Sequence, residues 1–238
     1  MAHSQVEEVA HGLAVWVEDL LVDLERLESS LSPRLVSDFA GDPPHEVSSK
    51  TRRALGRDVA DFLEEHPGLD GAGLIFQLSQ LKPETARIEW WVRDEEKINR
   101  RDFILDPDSD RFYDYEYLEW FKGAFHAGTR TVAGPYIDHL GVDDYLLTMA
   151  VPCSVDGVKV GVAGIDILMN DVEAELLRIL SPLSGCAVLS RHNQVLVGNS
   201  AQLSTGVRIA VMPPGYSRIP IAVDNVDLSL LYPDPQLG

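Results

Sequence analysis

Apolar residues between Val6 and Leu31 fall at Val6, Val9, Leu13, Trp16, Leu20, Leu24, Leu27 and Leu31, in steps of three and four. That spacing predicts an amphipathic helix of about seven turns, with Asp and Glu on its far face. Ser29, Ser30, Ser32 and Pro33 are expected to end it. Its stripe either packs on its own domain or serves in part as a seam with a second copy. A turn follows at Gly41-Asp42-Pro43-Pro44. A second helix is expected over residues 48–65, with Leu55, Val59, Phe62 and Leu63 inward and His66-Pro67-Gly68 as its stop.

From residue 71 the period changes to two. Residues 73–78 and 86–92 read as strands, with Ile88, Trp90 and Val92 on one face. Residues 106–110 form a polar loop, and 113–125 read as a helix with Tyr117, Phe121 and Ala124 on one face. Strands are expected at 130–136, 145–152 and 158–167, the last two joined at Asp156-Gly157. A helix over 171–180 precedes short strand signals at 186–190, 195–197, 218–223 and 227–231. Hairpin-linked strands between helices imply an α+β protein with a mainly antiparallel sheet covered by helices. The expected units are 1–70, two N-terminal helices; 71–168, the main sheet module; and 169–238, a connecting helix with a smaller strand-rich module.

Composition narrows the function classes. The 238 residues are 45% hydrophobic and can bury a core without disulfides or metals. Lys and Arg number 20 against 38 Asp and Glu, a net charge of −18. That argues against nucleic acid and anionic membranes as partners, since phosphates draw on basic patches. The N-terminus lacks a secretory pattern and no apolar run is long enough to span a bilayer, so a soluble, cytoplasmic protein is expected. Cys153 and Cys186 form no C-x-x-C pair, and no two of the seven histidines stand four apart. Asp106, Asp108 and Asp110 fail as a calcium loop, because Arg111 and Tyr117 stand where Gly and Glu are needed. Phosphate loops, dinucleotide fingerprints and nucleophile elbows are missing as well. The expectation is therefore no cofactor, no metal and no catalysis.

One region stands apart. It runs through Trp120-Phe121-Lys122-Gly123-Ala124, Gly134-Pro135-Tyr136-Ile137-Asp138, Thr148-Met149-Ala150-Val151-Pro152 and Gly161-Val162-Ala163-Gly164-Ile165-Asp166-Ile167. These four pieces, in this order, resemble the Cache family of ligand-sensing domains, which have a PAS-like fold. The resemblance covers about residues 71–168. It implies a PAS-like central antiparallel sheet, which a long first helix suits, and a second, truncated module in the tail. In amino-acid-sensing members an Arg-x-Trp-Tyr segment grips the ligand carboxylate, while a Tyr-x-Asp and the Asp of the last strand grip its ammonium. Here Trp120 is kept, but Leu118 stands at the arginine position and Phe121 at the tyrosine. Leu118 cannot make the bidentate contact of a guanidinium. Tyr136, Asp138 and Asp166 match the ammonium end.

The resemblance thus implies a non-catalytic sensor whose ligand is a small cationic amine, with amino acids second. Two carboxylates neutralise such a cation, and aromatic faces add cation–π attraction. Glu116 and Glu119 are weaker candidates for a second ammonium. Each residue also has a plain structural reading: Asp166 as a helix cap or arginine partner, Asp138 as a solvated loop residue, the tryptophans as core. Two other functions stay open. One is an interaction module with a vestigial pocket. The other is an enzyme on the same scaffold, with Asp138 or Asp166 as base. With no transmembrane or output segment in view, the protein is expected to act in trans on an unidentified protein partner, to buffer or deliver its ligand, or to be a lone remnant. The first helix is the candidate dimer or partner surface.

Overall fold

The computed structural model describes residues 2–83, 87–95, 97–106, 108–138 and 145–234, with side chains from residue 4 onward. Ala86 and His139, which the sequence reading touched, lie outside them. The first helix, α1 (Ala2–Leu35), is longer at both ends than the stripe suggested. It runs through Pro33 into a last turn in which Leu31 and Leu35 are fully buried, so core packing outweighs the lost donor. The stripe is used inside the chain: Val6, Val9, Leu13, Leu24, Leu27 and Leu31 are buried, together with Val17 and Leu21. Trp16 and Leu20 of the same stripe are only partly buried. Helix α2 (Ser49–Glu65) starts where Ser48 caps it, its hydroxyl accepting from Thr51 N at 3.2 Å. At its far end the Arg93 guanidinium donates to the carbonyls of Leu63, His66 and Leu69.

The main sheet has six strands: β1 (Gly71–Phe76), β2 (Ile88–Asp94), β3 (Lys97–Arg101), β4 (Thr131–Ile137), β5 (Tyr145–Val155) and β6 (Val158–Leu168). Their spatial order is β3-β2-β1-β6-β5-β4, and every pairing is antiparallel. This is the mixed α+β arrangement that the pattern implied, and the PAS-like sheet that the resemblance implied. The Asp156-Gly157 turn joins β5 to β6 with both residues at positive φ, 49° and 80°. Strand β3 had no signal, because Lys97, Arg100 and Arg101 hide a strand that lies on an edge. The helix expected at 113–125 is broken. A 3₁₀ turn (Tyr115–Tyr117) leads to Leu118 in extended conformation, and α3 (Glu119–Phe121) then continues as a π-helical turn (Lys122–Ala127). Tyr117 consequently points to solvent, 72% exposed, instead of sharing the inner face with Phe121 and Ala124.

Helix α4 (Met169–Leu180) leads to a second antiparallel sheet of β7 (Ala187–Leu189), β8 (Val195–Gly198), β9 (Tyr216–Pro220) and β10 (Ser229–Pro233), in the order β8-β7-β10-β9. Strand alternation divides the interior. Leu147, Met149, Ala163, Ile165 and Ile167 face α1 and join a core that extends to Val188 and Leu230 of the second sheet. On that face Glu89 is completely buried between Arg52 (2.8 Å) and Arg100 (3.1 Å). The other face of the main sheet carries Ile75, Ile88, Trp90, Ala150 and Val162, packed under Trp120, Phe121 and Phe125. No described helix is long and apolar enough to cross a membrane.

Candidate functional site

The second face encloses a cavity of about 20 Å³, room for about one water molecule. Its floor is made by β1, β2 and β6. The indole of Trp90 lies flat on Gly71 and Gly164: a Cβ at Gly71 would stand 2.7 Å from Trp90 Nε1, and one at Gly164 3.4 Å from the ring. At Gly71 only glycine leaves that space. Gly71 pairs with Asp166 across the β1–β6 ladder, which sets the indole edge beside the carboxylate. The walls are Phe103, Tyr113, Trp120 and Tyr136, and Thr148 reaches in from β5.

The position of Tyr136 depends on a bulge. Ala133 pairs with Thr148, but Tyr136, rather than residue 135, pairs with Leu146. The extra residue turns Tyr136, and Asp138 two positions on, toward the face that carries Thr148 and Asp166. The Tyr113 hydroxyl donates to Asp138 Oδ2 at 3.0 Å. The Thr148 hydroxyl donates to Asp166 Oδ1 at 2.5 Å and lies 2.7 Å from the Tyr136 hydroxyl. Both carboxylates are buried. Burial pushes Asp166 up to about 7; Thr148 opposes that shift, while the negative charges of Asp138 and Asp70 add to it. The phenols of Tyr113 and Tyr136 are also raised, chiefly by burial, and stay protonated. The indole Nε1 atoms of Trp90 and Trp120 are buried without a hydrogen-bond partner among the described residues. No lysine, arginine or histidine among the described residues lines the cavity.

Of the six residues singled out in the sequence, Trp120, Tyr136, Asp138 and Asp166 stand around this cavity. Leu118 and Phe121 do not line it. Phe121 is fully buried one layer behind, against Tyr115, Trp120 and Phe125, and Leu118 packs on the same cluster. Asp166 neither caps a helix nor meets an arginine, and Asp138 is 7% exposed rather than solvated. Glu116 and Glu119 point elsewhere. The former accepts from Leu78 N at 2.8 Å, and the latter meets His192 at 3.0 Å and Arg191 at 3.7 Å. Trp90, Tyr113 and Thr148 went unassigned in the sequence. Thr148 carried a signal, since it alternates with apolar residues in a strand beside that of Asp166. Tyr113 carried none, because its partner lies 25 residues away.

A cavity with two buried carboxylates, aromatic walls and no basic group among the described residues can accept hydrogen bonds and neutralise positive charge. Among the described residues no group of three or more His, Cys, Asp or Glu comes together to hold a metal ion.

Comparison with known proteins places this site in a family. Residues 59–174 match the model for the methyl-accepting chemotaxis protein-like, first PDC sensor domain. Among solved structures, the chain is similar to Methyl-accepting Chemotaxis protein X (TM-score 0.68, 16% identity, 97% of this chain and 94% of that one). It is also similar to the ligand-binding domain of the Pseudomonas fluorescens chemoreceptor CtaA in complex with L-valine (TM-score 0.62, 16% identity, 98% and 95% covered). A third likeness is to the ligand-binding domain of the Pseudomonas aeruginosa PAO1 amino acid chemoreceptor PctC in complex with GABA (TM-score 0.56, 19% identity, 94% of both chains). At these identities the structural likeness speaks for the fold. No curated protein matches the chain in sequence. The family match, together with the shared fold, supports a PDC (Cache) sensor domain over residues 59–174.

Proposed function

We propose that the protein is a non-catalytic sensor of a small cationic amine, held in the cavity by Asp138, Asp166 and the aromatic walls. One observation carries this reading: two carboxylates share an aromatic cavity that no basic residue lines among the described residues. An ammonium group satisfies both acids and the ring faces. A ligand carboxylate, as in the L-valine and GABA complexes of the relatives, finds no guanidinium among the described lining residues, with Leu118 set back from the cavity. Amino acids therefore rank below simple amines. The buried indole donor of Trp90, without a partner among the described residues, suits a neutral acceptor on the ligand, such as a hydroxyl or ether oxygen.

A thermal-shift screen of amines, polyamines, amino acids and carboxylates tests this. A ligand at about 100 times its dissociation constant adds about 2.7 kcal/mol of stability. Amines should raise the melting temperature, and Asp138→Ala and Asp166→Ala should each abolish the rise. Binding of carboxylates alone would overturn the assignment of the site. The small cavity favours one second reading, a regulatory interaction module with a vestigial pocket. That reading gains if no compound binds and both alanine variants fold and melt like the parent.

A further inference from the structure

We propose that the ligand-free cavity keeps a proton on Asp166, and that a cationic ligand binds by taking that proton's place. The inference rests on the amine reading above and concerns what the site holds before the ligand arrives.

The argument starts from size and charge. The cavity has room for about one water, so the space between the carboxylates admits no amine as it stands. The described groups that face Asp166 come from five elements or their flanks. Asp70 precedes β1, and Trp90 comes from β2. Tyr136 and Asp138 come from β4, Thr148 from β5 and Trp120 from α3, while Tyr113 stands behind Asp138. Among these described groups none is a cation, and Asp138 and Asp70 bring negative charge to Asp166.

Hydrogen bonding does not make up the deficit. Having donated to Asp166, the Thr148 hydroxyl accepts from Tyr136, so this chain of donors ends on Oδ1 as one bond. An enclosed carboxylate with one hydroxyl donor and like charges beside it is costly in its ionised form. The acid form can keep Thr148 on Oδ1 and carry its proton on Oδ2. A proton is also the one counter-charge that fits without opening the walls. The elevated ionisation of Asp166, near neutrality, agrees with this geometry.

The exchange balances. Protein with Asp166 as a carboxylic acid, plus an ammonium ion, gives protein with Asp166 as a carboxylate paired to that ion, plus one free proton. No bond to carbon changes. Affinity for the cation should therefore fall tenfold for each pH unit below the Asp166 ionisation and level off above it.

Two measurements on the full chain test this. The first needs no ligand. Infrared spectra of the ligand-free protein between pH 5 and 9 should show a buried carboxylic-acid C=O band that fades near pH 7. Asp166→Asn should remove that band. Thr148→Val, which deletes the donor to the ionised form, should move the fading to higher pH. A spectrum insensitive to both substitutions overturns the inference. The second is calorimetry with methylammonium as the probe, at pH 6, in two buffers of different ionisation heat. Close to one proton should be released per methylammonium bound. Binding with no proton release and no pH dependence overturns the exchange while the amine reading stands. No binding by methylammonium or by any larger amine of the screen overturns the amine reading and the exchange with it. The infrared titration still decides whether Asp166 holds the proton.

Discussion

Replacing Asp166 by Asn isolates the cost of the buried carboxylate from everything else in the cavity. Asn has nearly the shape of the protonated acid and cannot ionise. In the folded protein the Asp166 pKa is raised from 3.8 to about 7. A carboxyl raised in this way favours folding fully below its unfolded pKa, and that contribution is lost as pH rises to the folded one. The window is therefore about pH 4 to 7. Roughly three decades of proton concentration at about 1.4 kcal/mol each amount to about 4 kcal/mol across it. Between pH 5 and 8 the wild type should lose about 2–3 kcal/mol that the Asn variant keeps. For a chain of this length that is roughly 5–10 °C in relative melting temperature. Melting curves of both proteins at half-unit pH steps give the difference directly, with all other titrating groups common to both. The variant should gain on the wild type as pH rises. A difference that stays constant from pH 5 to 8 would refute the reasoning, because Asp166 would then be ionised throughout or equally solvated in both states.

Three further outcomes follow from the packing. Gly71→Ala forces a Cβ to 2.7 Å from Trp90 Nε1 and should cost about 1–3 kcal/mol, with a changed tryptophan emission spectrum as the second readout. Glu89→Ala leaves Arg52 and Arg100 facing each other. Both guanidinium groups retain some access to water, so the loss should be about 1–3 kcal/mol in urea unfolding, below that for a fully buried pair. Ser48→Ala removes the α2 cap and should cost about 1 kcal/mol, with no effect on ligand-induced thermal shifts.

Much of the fold was legible because its elements obey a single period. The apolar stripe of α1, the Ser48 cap and the Asp156-Gly157 hairpin all carry local signals that packing reinforces. The failures have physical causes. Strand β3 is charged because it lies at an edge, where backbone pairing rather than burial defines it. The 113–125 segment keeps a helical spacing of aromatics, yet its chain must bend at Leu118 to seat Trp120 over the sheet and bring the Tyr115 hydroxyl to Phe76 O at 2.6 Å. At the site, Tyr136, Asp138 and Asp166 were recognisable from short motifs. What the motifs did not carry was orientation. The bulge before Tyr136 decides which face it and Asp138 occupy, and Trp90 finds its place in the cavity because Gly71 has no side chain to meet its indole.

The alternation of β5 and β6 has a mechanical consequence. Thr148 and Asp166 look into the cavity, while their immediate neighbours Leu147, Met149, Ile165 and Ile167 press on α1 from the opposite side of the same two strands. A guest that spreads or twists these strands must therefore displace side chains against α1, since an interior packed like a crystal has no slack to absorb the motion. Helix α1, about 50 Å long at 1.5 Å per residue, also rests on α2, α4 and β10. It acts as a stiff beam laid across the back of a diaphragm, so that flexing the sheet at its middle is delivered as tilt at the ends.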